Sequence, residues 1–494
     1  MAKKMIFSGI TAVIMITALA GAFPAGAAAP DNYEYGLMHP SGDMLAQWAA
    51  HNQTVPELAL PATRTADPLP ASFSLLDRLN YIPAERDQGQ IGSCWVWSGT
   101  GIMEVALDVQ NQAHERLSEQ YLVSTYNNGT GLNWAGNGGN LSDLVNFYNG
   151  TGRAIPWANT NASYQDGQIP DQEETIVPAA SIALEPHYQV NSMVEVDIPF
   201  RGLDEATVIN NIKAALYSNK ALWWAFYMAE REDWIIFFDY WNTQTESAIW
   251  DPGYAAGETW TSGGAGHAVL CVGYEDPEGT ANDRWIMLNS WGVTAGRPSG
   301  LFSIPMHMDY DATFHDAVNE YHSYEWKTLN VEYGVVAPTV DNASGTSGET
   351  GTAARLNGRI VCGGGENPES VIYWGAVNGG TDPLRWQHAI NLGVTPMGVI
   401  SADVTGLDES TLYYYRCAAS NTAGTAWAPG ASLFGFLAGD ANADGAINAL
   451  DITKIERIIV ALDTPGPTAD ANGDGAINAL DITKVERIIA NLPG

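Results

Sequence analysis

Basic residues and long apolar runs are both scarce in this sequence. Lys and Arg total 22 against 56 Asp and Glu, so the 494-residue chain has a formal net charge of −34 at pH 7. A field of that sign repels phosphate backbones, which argues against nucleic acid as a partner. After the first 30 residues, no stretch approaches the ~20 apolar residues that a membrane-spanning helix needs. At ~150 residues per domain, we expect a soluble chain of about three domains.

The N-terminus has the pattern of an export signal. Lys3 and Lys4 precede an apolar run from Met5 to Ala20, and small residues follow at Ala25–Ala29. We expect residues 1–29 to be removed, which leaves a secreted protein, extracellular or attached to a cell-surface complex, with no membrane insertion. Disulfides survive in such a compartment.

Composition divides the rest of the chain into four segments. Residues 30–68 are rich in Pro and Ala with little periodicity, as in a leader or short propeptide. Residues 69–333 begin with a helix signal at Cys94–Val109 and continue with short apolar runs, which predicts an α+β domain. Alternating runs between Gly- and Asn-rich turns at 337–436 predict an all-β sandwich. Residues 437–494 contain a duplication with a period of 30 residues.

One thiol has the sequence context of a nucleophile. Cys94 lies at the predicted start of a helix, where unpaired N–H groups and the macrodipole favour thiolate over thiol. An attacking thiolate also needs a base and a donor for the oxyanion. Gln88 can supply the donor and His267 the base, while Asn289 can hold one ring nitrogen so that the other faces sulfur.

These residues stand in motifs that follow one another in a known order: Gln88, Gly92-Ser93-Cys94-Trp95, His267-Ala268-Val269 and Asn289-Ser290-Trp291-Gly292. Because these motifs occur in this order, residues 69–333 resemble papain-like cysteine peptidases. The resemblance implies a helical lobe and a β-barrel lobe, with Cys94 and His267 facing each other across a substrate groove. It implies peptide hydrolysis through an acyl-enzyme, without a cofactor. It also implies that Gln88 and the Cys94 backbone N–H form the oxyanion hole, and that Asn289 orients His267.

The same resemblance implies which residues border the substrate: Asn137, Gly138, Gly139, Trp95 and Trp291. Three features depart from the family pattern. Ile91 and Gly136 stand where the family has a disulfide-bonded pair, and the leader is shorter than the usual inhibitory propeptide. An insertion rich in aromatic residues lies between Glu230 and Ser262, and it is either a lid or extra packing.

Each copy of the duplication has the oxygen pattern of a twelve-residue Ca²⁺ loop. Oxygen ligands recur at positions 1, 3, 5, 7, 9 and 12, and glycine at position 6 permits the sharp turn. The predicted ligands are Asp440, Asn442, Asp444, the Ala446 carbonyl, Asn448 and Asp451 in the first loop, and Asp470, Asn472, Asp474, the Ala476 carbonyl, Asn478 and Asp481 in the second.

Residues 437–494 resemble a type I dockerin, because each loop is followed by one helix-periodic run, Ile452–Ile459 or Ile482–Ile489. The resemblance implies that two Ca²⁺ ions bind and that the module docks on a cohesin domain of a scaffold or cell-surface protein. The positions that help to set partner choice in dockerins are Ala449-Leu450 and Ala479-Leu480. The near-identity of the repeats allows two binding orientations.

The run Leu407–Gly424 resembles the penultimate strand and turn of fibronectin type III domains, and the resemblance covers residues 337–436. Cys362 and Cys417 fall on strands expected to face each other, so a disulfide and two free core thiols are both open. A spacer role is the default, and an exposed aromatic face that binds polysaccharide is the alternative.

Two functional classes remain. The first is a secreted cysteine endopeptidase that a calcium-dependent dockerin recruits to a cohesin-bearing complex. The second is a papain-like body that has lost catalysis and serves as a binding or structural component of the same assembly.

Overall fold

The computed structural model describes residues 34–60, 69–168, 172–277, 282–350, 352–408, 411–435, 437–466 and 468–492. The predicted export signal lies outside these residues. Buried apolar side chains form three separate clusters, which span Leu37–Tyr333, Val340–Phe434 and Ala441–Val485. Among the described residues, no helix is both long and apolar enough to cross a bilayer.

The first cluster joins helices to a large antiparallel sheet. Its helices are α1 (Gly42–Asn52), α2 (Cys94–Asn111), α3 (Glu119–Thr125), α4 (Leu141–Thr151), α5 (Glu205–Tyr217) and α6 (Arg231–Thr243). Its strands are β1 (Ser72–Ser74), β2 (Arg153–Ala154), β3 (Tyr188–Asp197), β4 (Leu222–Met228), β5 (Ala265–Glu275), β6 (Arg284–Leu288), β7 (Leu301–Pro305), β8 (Thr313–His315), β9 (Glu320–His322) and β10 (Tyr324–Tyr333). The sheet runs β2-β3-β10-β4-β5-β6-β7, with β1 paired to β5, while β8 and β9 form a hairpin.

Helix α2 is the central helix of this body. It begins at Cys94, as predicted, and runs two residues beyond the predicted end before Gln112 adopts a left-handed conformation. It packs against β5 and α4 and is buried on almost every face. The helical half and the sheet half therefore meet along α2, which confirms the α+β prediction.

The leader contains a helix that the sequence analysis missed. The Ser41 hydroxyl accepts the N–H of Met44 and caps α1, and Leu45 and Trp48 are buried in the first cluster. His51 at the other end of α1 lies 2.8 Å from the carboxylate of Glu195 in β3. Residues 34–60 of the leader are thus part of the folded body, because apolar residues fall on one face of α1.

The second cluster is a sandwich of two antiparallel sheets. Its strands are β11 (Thr339–Asp341), β12 (Thr346–Thr350), β13 (Ala353–Cys362), β14 (Glu369–Gly375), β15 (His388–Val394), β16 (Gly398–Thr405), β17 (Tyr413–Asn421), β18 (Gly424–Trp427) and β19 (Ser432–Phe434). One sheet pairs β13 with β11, β12 and β16, and the other runs β15-β14-β17-β18 with β19 beside β17. This agrees with the predicted all-β region.

The two sandwich cysteines are free, so the disulfide alternative is not realised. Cys417 points into the sandwich core, where it is fully buried. The Cys362 thiol, at the end of β13, instead donates to the backbone carbonyl of Asn111 at 2.9 Å. The thiol at this edge therefore contacts the first body and not its counterpart in the opposite sheet.

The third cluster is the duplicated tail, with α7 (Ala449–Ile459) and α8 (Ala479–Ile489) packed against each other. Both helices begin three residues earlier than their apolar periodicity indicated, because Asn448 and Asn478 form capping boxes with Asp451 and Asp481.

Candidate active site

Cys94 is the first residue of α2, and its side chain is fully buried. Burial raises the pKa of the thiol to about 12, although backbone N–H groups of Ala268 and Trp95 oppose the shift. The predicted preference for thiolate at a helix N-terminus is therefore outweighed in this form by the loss of solvent. The contact with Ala268 places the sulfur beside β5, next to His267.

His267 lies on β5 and is held by an amide. The Nε2 of its ring lies 2.7 Å from Oδ1 of Asn289, which also accepts the backbone N–H of Ser290. Because an amide oxygen accepts, Nε2 carries the proton, and Nδ1 has no hydrogen-bond partner in the part of the chain that the structure describes. Burial lowers the pKa of the imidazole to about 3. Asn289 therefore holds the ring through Nε2, and Nδ1 is the ring nitrogen that could act as a base.

Gln88 is fully buried and connects the two halves of the site. Its backbone N–H donates to the carbonyl of Ser290, and its side-chain Oε1 accepts the Ser290 hydroxyl at 2.6 Å. Its Nε2 donates to the carbonyls of Ile91 and Gly36 at 2.7 and 3.0 Å. The amide is thus fixed with its N–H group on a peptide carbonyl in the cleft, the arrangement an oxyanion donor needs.

The Gly36 carbonyl that accepts from Gln88 belongs to the leader, which crosses the cleft as an extended segment. The Gly36 N–H donates to Gly89, and Met38 exchanges two backbone hydrogen bonds of 2.9 Å with Gly266, the residue before His267. The Leu37 carbonyl lies so close to Gly92 that a Cβ there would come within 2.5 Å of it. The leader thus covers Cys94 and His267, and no motif in the sequence indicated this.

The predicted substrate contacts divide into two groups. Gly138 faces the leader, since a Cβ there would lie 3.2 Å from Cβ of Met38, and with Asn137 and Gly139 it lines a groove of about 790 Å³. Trp95 instead lies fully buried beneath Gly139 and donates to the carbonyl of Ala135. Trp95 therefore supports the glycine-rich loop from inside and does not border the groove.

The missing disulfide pair is replaced by a backbone contact. The N–H of Gly92 donates to the carbonyl of Gly136 at 2.6 Å and joins the same two loops, while Ile91 is buried. Neutral backbone hydrogen bonds contribute about 1 kcal/mol each, less than a typical disulfide.

The aromatic insertion is extra packing around Trp291, the fifth residue that was predicted to border the substrate. Phe237, Phe238 and Trp241 of α6 contact Trp291 with ring centroids 5.4 to 5.8 Å apart. Trp291 in turn stacks on His267 at 4.4 Å and 24°. The insertion therefore forms an apolar wall behind the imidazole.

The two loops of the tail share one hydrogen-bonding pattern. Asp440 accepts the backbone N–H groups of Asp444 and Gly445, and Asp451 accepts those of Asn442 and Asn448. The second loop repeats these bonds with Asp470 and Asp481. Among the described residues no metal-ready cluster of three His, Cys, Asp or Glu side chains occurs. Asp440 and Asp451 in the first loop, and Asp470 and Asp481 in the second, therefore hold their loops through backbone N–H groups, and carboxylate and amide oxygens are the ligand type that a hard cation such as Ca²⁺ takes.

Comparisons with known proteins match two of these bodies. A family model described as "Papain family cysteine protease" matches residues 69–232, and one described as "Dockerin type I domain" matches residues 438–490. The chain therefore carries a papain-family cysteine protease domain and a C-terminal type I dockerin domain. The first match ends within α6, before His267 and Asn289.

One curated relative, a cathepsin L-like proteinase of Fasciola hepatica, is 26% identical over 216 residues, which are 44% of this chain and 55% of that protein. This chain thus spans about half the length of the relative. A solved structure of the ragweed pollen cysteine protease Amb a 11 in its proform is 15% identical, with a TM-score of 0.35, and covers 56% of this chain and 71% of that one. The sensor domain of the anti-sigma factor RsgI4 of Pseudobacteroides cellulosolvens is 17% identical, with a TM-score of 0.16, over 21% of this chain and 98% of that one.

Proposed function

We propose that this protein is a secreted cysteine endopeptidase that its dockerin recruits to a cohesin-bearing complex. One observation carries the catalytic part. Asn289 holds His267 through Nε2 and leaves Nδ1 without a hydrogen-bond partner among the residues that the structure describes, in the cleft that also contains the Cys94 sulfur. Gln88 donates to a peptide carbonyl in the same cleft.

The residues divide the reaction between them. Nδ1 of His267 takes the proton of the Cys94 thiol, and the sulfur attacks the carbonyl carbon of a peptide bond. The oxyanion accepts the N–H of Gln88, which Ser290 orients. The imidazolium then gives its proton to the leaving amine, and the acyl group stays on sulfur as a thioester. Water, activated by the same imidazole, hydrolyses the thioester and restores the thiol.

The described form is the inactive state of this enzyme, because the leader covers the cleft. Under the leader the thiol and the imidazole are both neutral at pH 7, since burial shifts their pKa values to about 12 and about 3. The thiolate-imidazolium pair forms only when water reaches both groups. We therefore assign the leader, residues 30–68, an inhibitory role that its displacement or removal ends.

A peptide library tests the catalytic assignment on the full chain. Cleavage should follow displacement or loss of the leader, and Cys94→Ala should abolish it. Gln110→Ala, a change away from the cleft, serves as the control. Equal cleavage by Cys94→Ala would refute the assignment. If neither chain cleaves any peptide after leader removal, the protein belongs to the catalytically silent class.

The tail supplies calcium-dependent docking. Each loop contains three aspartates in its sequence, and two Ca²⁺ ions offset their repulsion and tighten the small core between α7 and α8. Leu450 and Leu480 occupy equivalent positions at the start of the two helices and are 62% and 60% exposed. Because Leu450 and Leu480 are equivalent, a partner can bind the tail in either of two orientations.

Calcium stoichiometry and cohesin binding test this part. The full chain should bind two Ca²⁺ ions, whereas Asp451→Ala and Asp481→Ala should each bind one. Asp463→Ala, which removes a carboxylate outside both loops, should still bind two. Binding to a cohesin panel should disappear with chelator and should survive Leu450→Asp or Leu480→Asp alone but not the double change. Undiminished binding by the chelated chain would contradict the proposal.

A further inference from the structure

A slot for one aromatic ring lies at the end of the cleft where the leader enters it. We call it the aromatic slot and define it by Trp291, Phe238 and Asn242. Tyr35 of the leader occupies it, with its ring stacked on Trp291 at 4.6 Å and 13° and tilted against Phe238 at 5.6 Å. Offset stacks of this kind stabilise a contact beyond the area that they bury.

The slot also contacts the phenol hydroxyl. The Tyr35 hydroxyl donates to Oδ1 of Asn242 at 2.5 Å, and Nδ2 of Asn242 donates to the carboxylate of Glu34 at 2.9 Å. Burial, followed by the charge of Glu34, raises the pKa of Tyr35 to about 12, so the hydroxyl stays protonated and donates. The slot therefore distinguishes tyrosine from phenylalanine by one hydrogen bond.

The position of the slot relates it to the reaction. Its wall Trp291 stacks on His267, the group that gives a proton to the leaving amine. A leaving amine must lie within hydrogen-bond reach of that imidazole. The residue that follows the scissile bond thus lies on the Trp291 side of the cleft. Tyr35 lies on that side although it precedes Gly36, whose carbonyl accepts from Gln88, so the leader runs through the cleft in the direction opposite to such a substrate.

We propose that the aromatic slot selects peptide substrates with tyrosine directly after the scissile bond. The inference rests on the proposed peptidase function and names one element of its substrate class. Phe238 and Asn242 belong to α6, which lies in the insertion at 230–262, so this specificity comes from a segment outside the shared catalytic motifs. Tyr35 is the ligand that the chain itself provides.

The first experiment compares peptides that differ only at the residue after the scissile bond. The ratio of kcat/KM for two peptides does not depend on how much enzyme the leader still covers, because covering lowers both rates equally. We expect Tyr to exceed Leu by roughly three- to tenfold. Asn242→Leu should lower kcat/KM for the Tyr peptide to the value for the Phe peptide, and Phe238→Ala should lower kcat/KM for both peptides. Ile236→Ala, a change at an exposed residue of α6, should leave the Tyr to Leu and Tyr to Phe ratios unchanged.

The second experiment needs no catalysis. It measures how fast iodoacetamide labels Cys94 in the full chain, which reports how often the leader leaves. Tyr35→Ala should raise the rate about tenfold and Tyr35→Phe about threefold. Asn242→Leu should raise the rate at least as much as Tyr35→Phe, because it removes the hydrogen bonds to both Tyr35 and Glu34.

The outcomes separate the two claims. An active chain with a Tyr to Leu ratio of one, unaffected by Asn242→Leu, overturns the slot and leaves the peptidase intact. A chain that labels as expected but cleaves no peptide overturns the peptidase and, with it, the substrate preference. Equal labelling of Tyr35→Ala and the unchanged chain refutes the slot directly.

Discussion

The leader's Met38 offers the sharpest test of the covered cleft. Its side chain is fully buried between Gly138 and Gly266, and its main chain is paired to Gly266. Replacing a buried Met by Ala costs about 2–5 kcal/mol. The contacts that Met38→Ala removes join the leader to the cleft. The substitution therefore lowers the free energy with which the leader binds the cleft. At 1.4 kcal/mol per factor of ten, Met38→Ala should raise the uncovered population about 30-fold or more.

Alkylation of the thiols by iodoacetamide, followed by mass spectrometry, measures this population. Cys94 should label at least about 30-fold faster in Met38→Ala than in the unchanged chain. Cys271 is equally buried on β5 and reports unfolding of the whole body, so its rate should stay constant. Met397→Ala, at an exposed methionine of the sandwich, is the matched control. Equal Cys94 rates in all three chains, or a parallel rise at Cys271, would refute the reasoning.

Two further predictions concern the proposed catalytic residues. Gln88→Ala should lower kcat about 10²–10³-fold with little change in KM, because it removes an oxyanion donor, and Ser290→Ala should show a smaller effect of the same kind. The pKa of His267 is about 3 when the leader covers it, against an ordinary 6.5. The neutral imidazole therefore favours the covered form fully above pH 6.5. As the pH falls from 6.5 toward 3, the equilibrium constant for covering should fall by up to tenfold per pH unit. Thermolysin cleavage of the leader in Cys94→Ala, normalised to an unstructured peptide, should therefore accelerate below pH 6.5. A His267→Gln chain with the same acceleration would contradict this assignment.

Local signals in the sequence predicted helix α2 and the tail repeats well. The start of α2 was visible because a Gly-Ser-Cys turn precedes an apolar helical run. The two tail loops were visible because their ligand spacing is fixed by one continuous segment. His267 and Asn289 were identified through motif order, although 173 residues separate Cys94 from His267.

Long-range packing explains the parts that were missed. Helix α1 lies in a segment with weak periodicity, and it folds because Leu45 and Trp48 have a surface to bury against. Trp95 was predicted to border the substrate, but it lies on the buried side of the glycine-rich loop, which no local pattern in the sequence indicates. A helix N-terminus favours a thiolate only if water reaches it, so the state of Cys94 depended on a leader about fifty residues upstream.

The sequence alone determined the chemistry available to this protein: one thiol at a helix start, an imidazole with its amide partner, and two oxygen-rich loops. These follow from residue type and short spacing, which the backbone translates directly into local geometry. Only the tertiary structure decided that the leader lies across the cleft, that two cysteines stay apart, and that α6 forms a slot beside Trp291. Those outcomes depend on which distant surfaces exclude water together, and no local pattern encodes that.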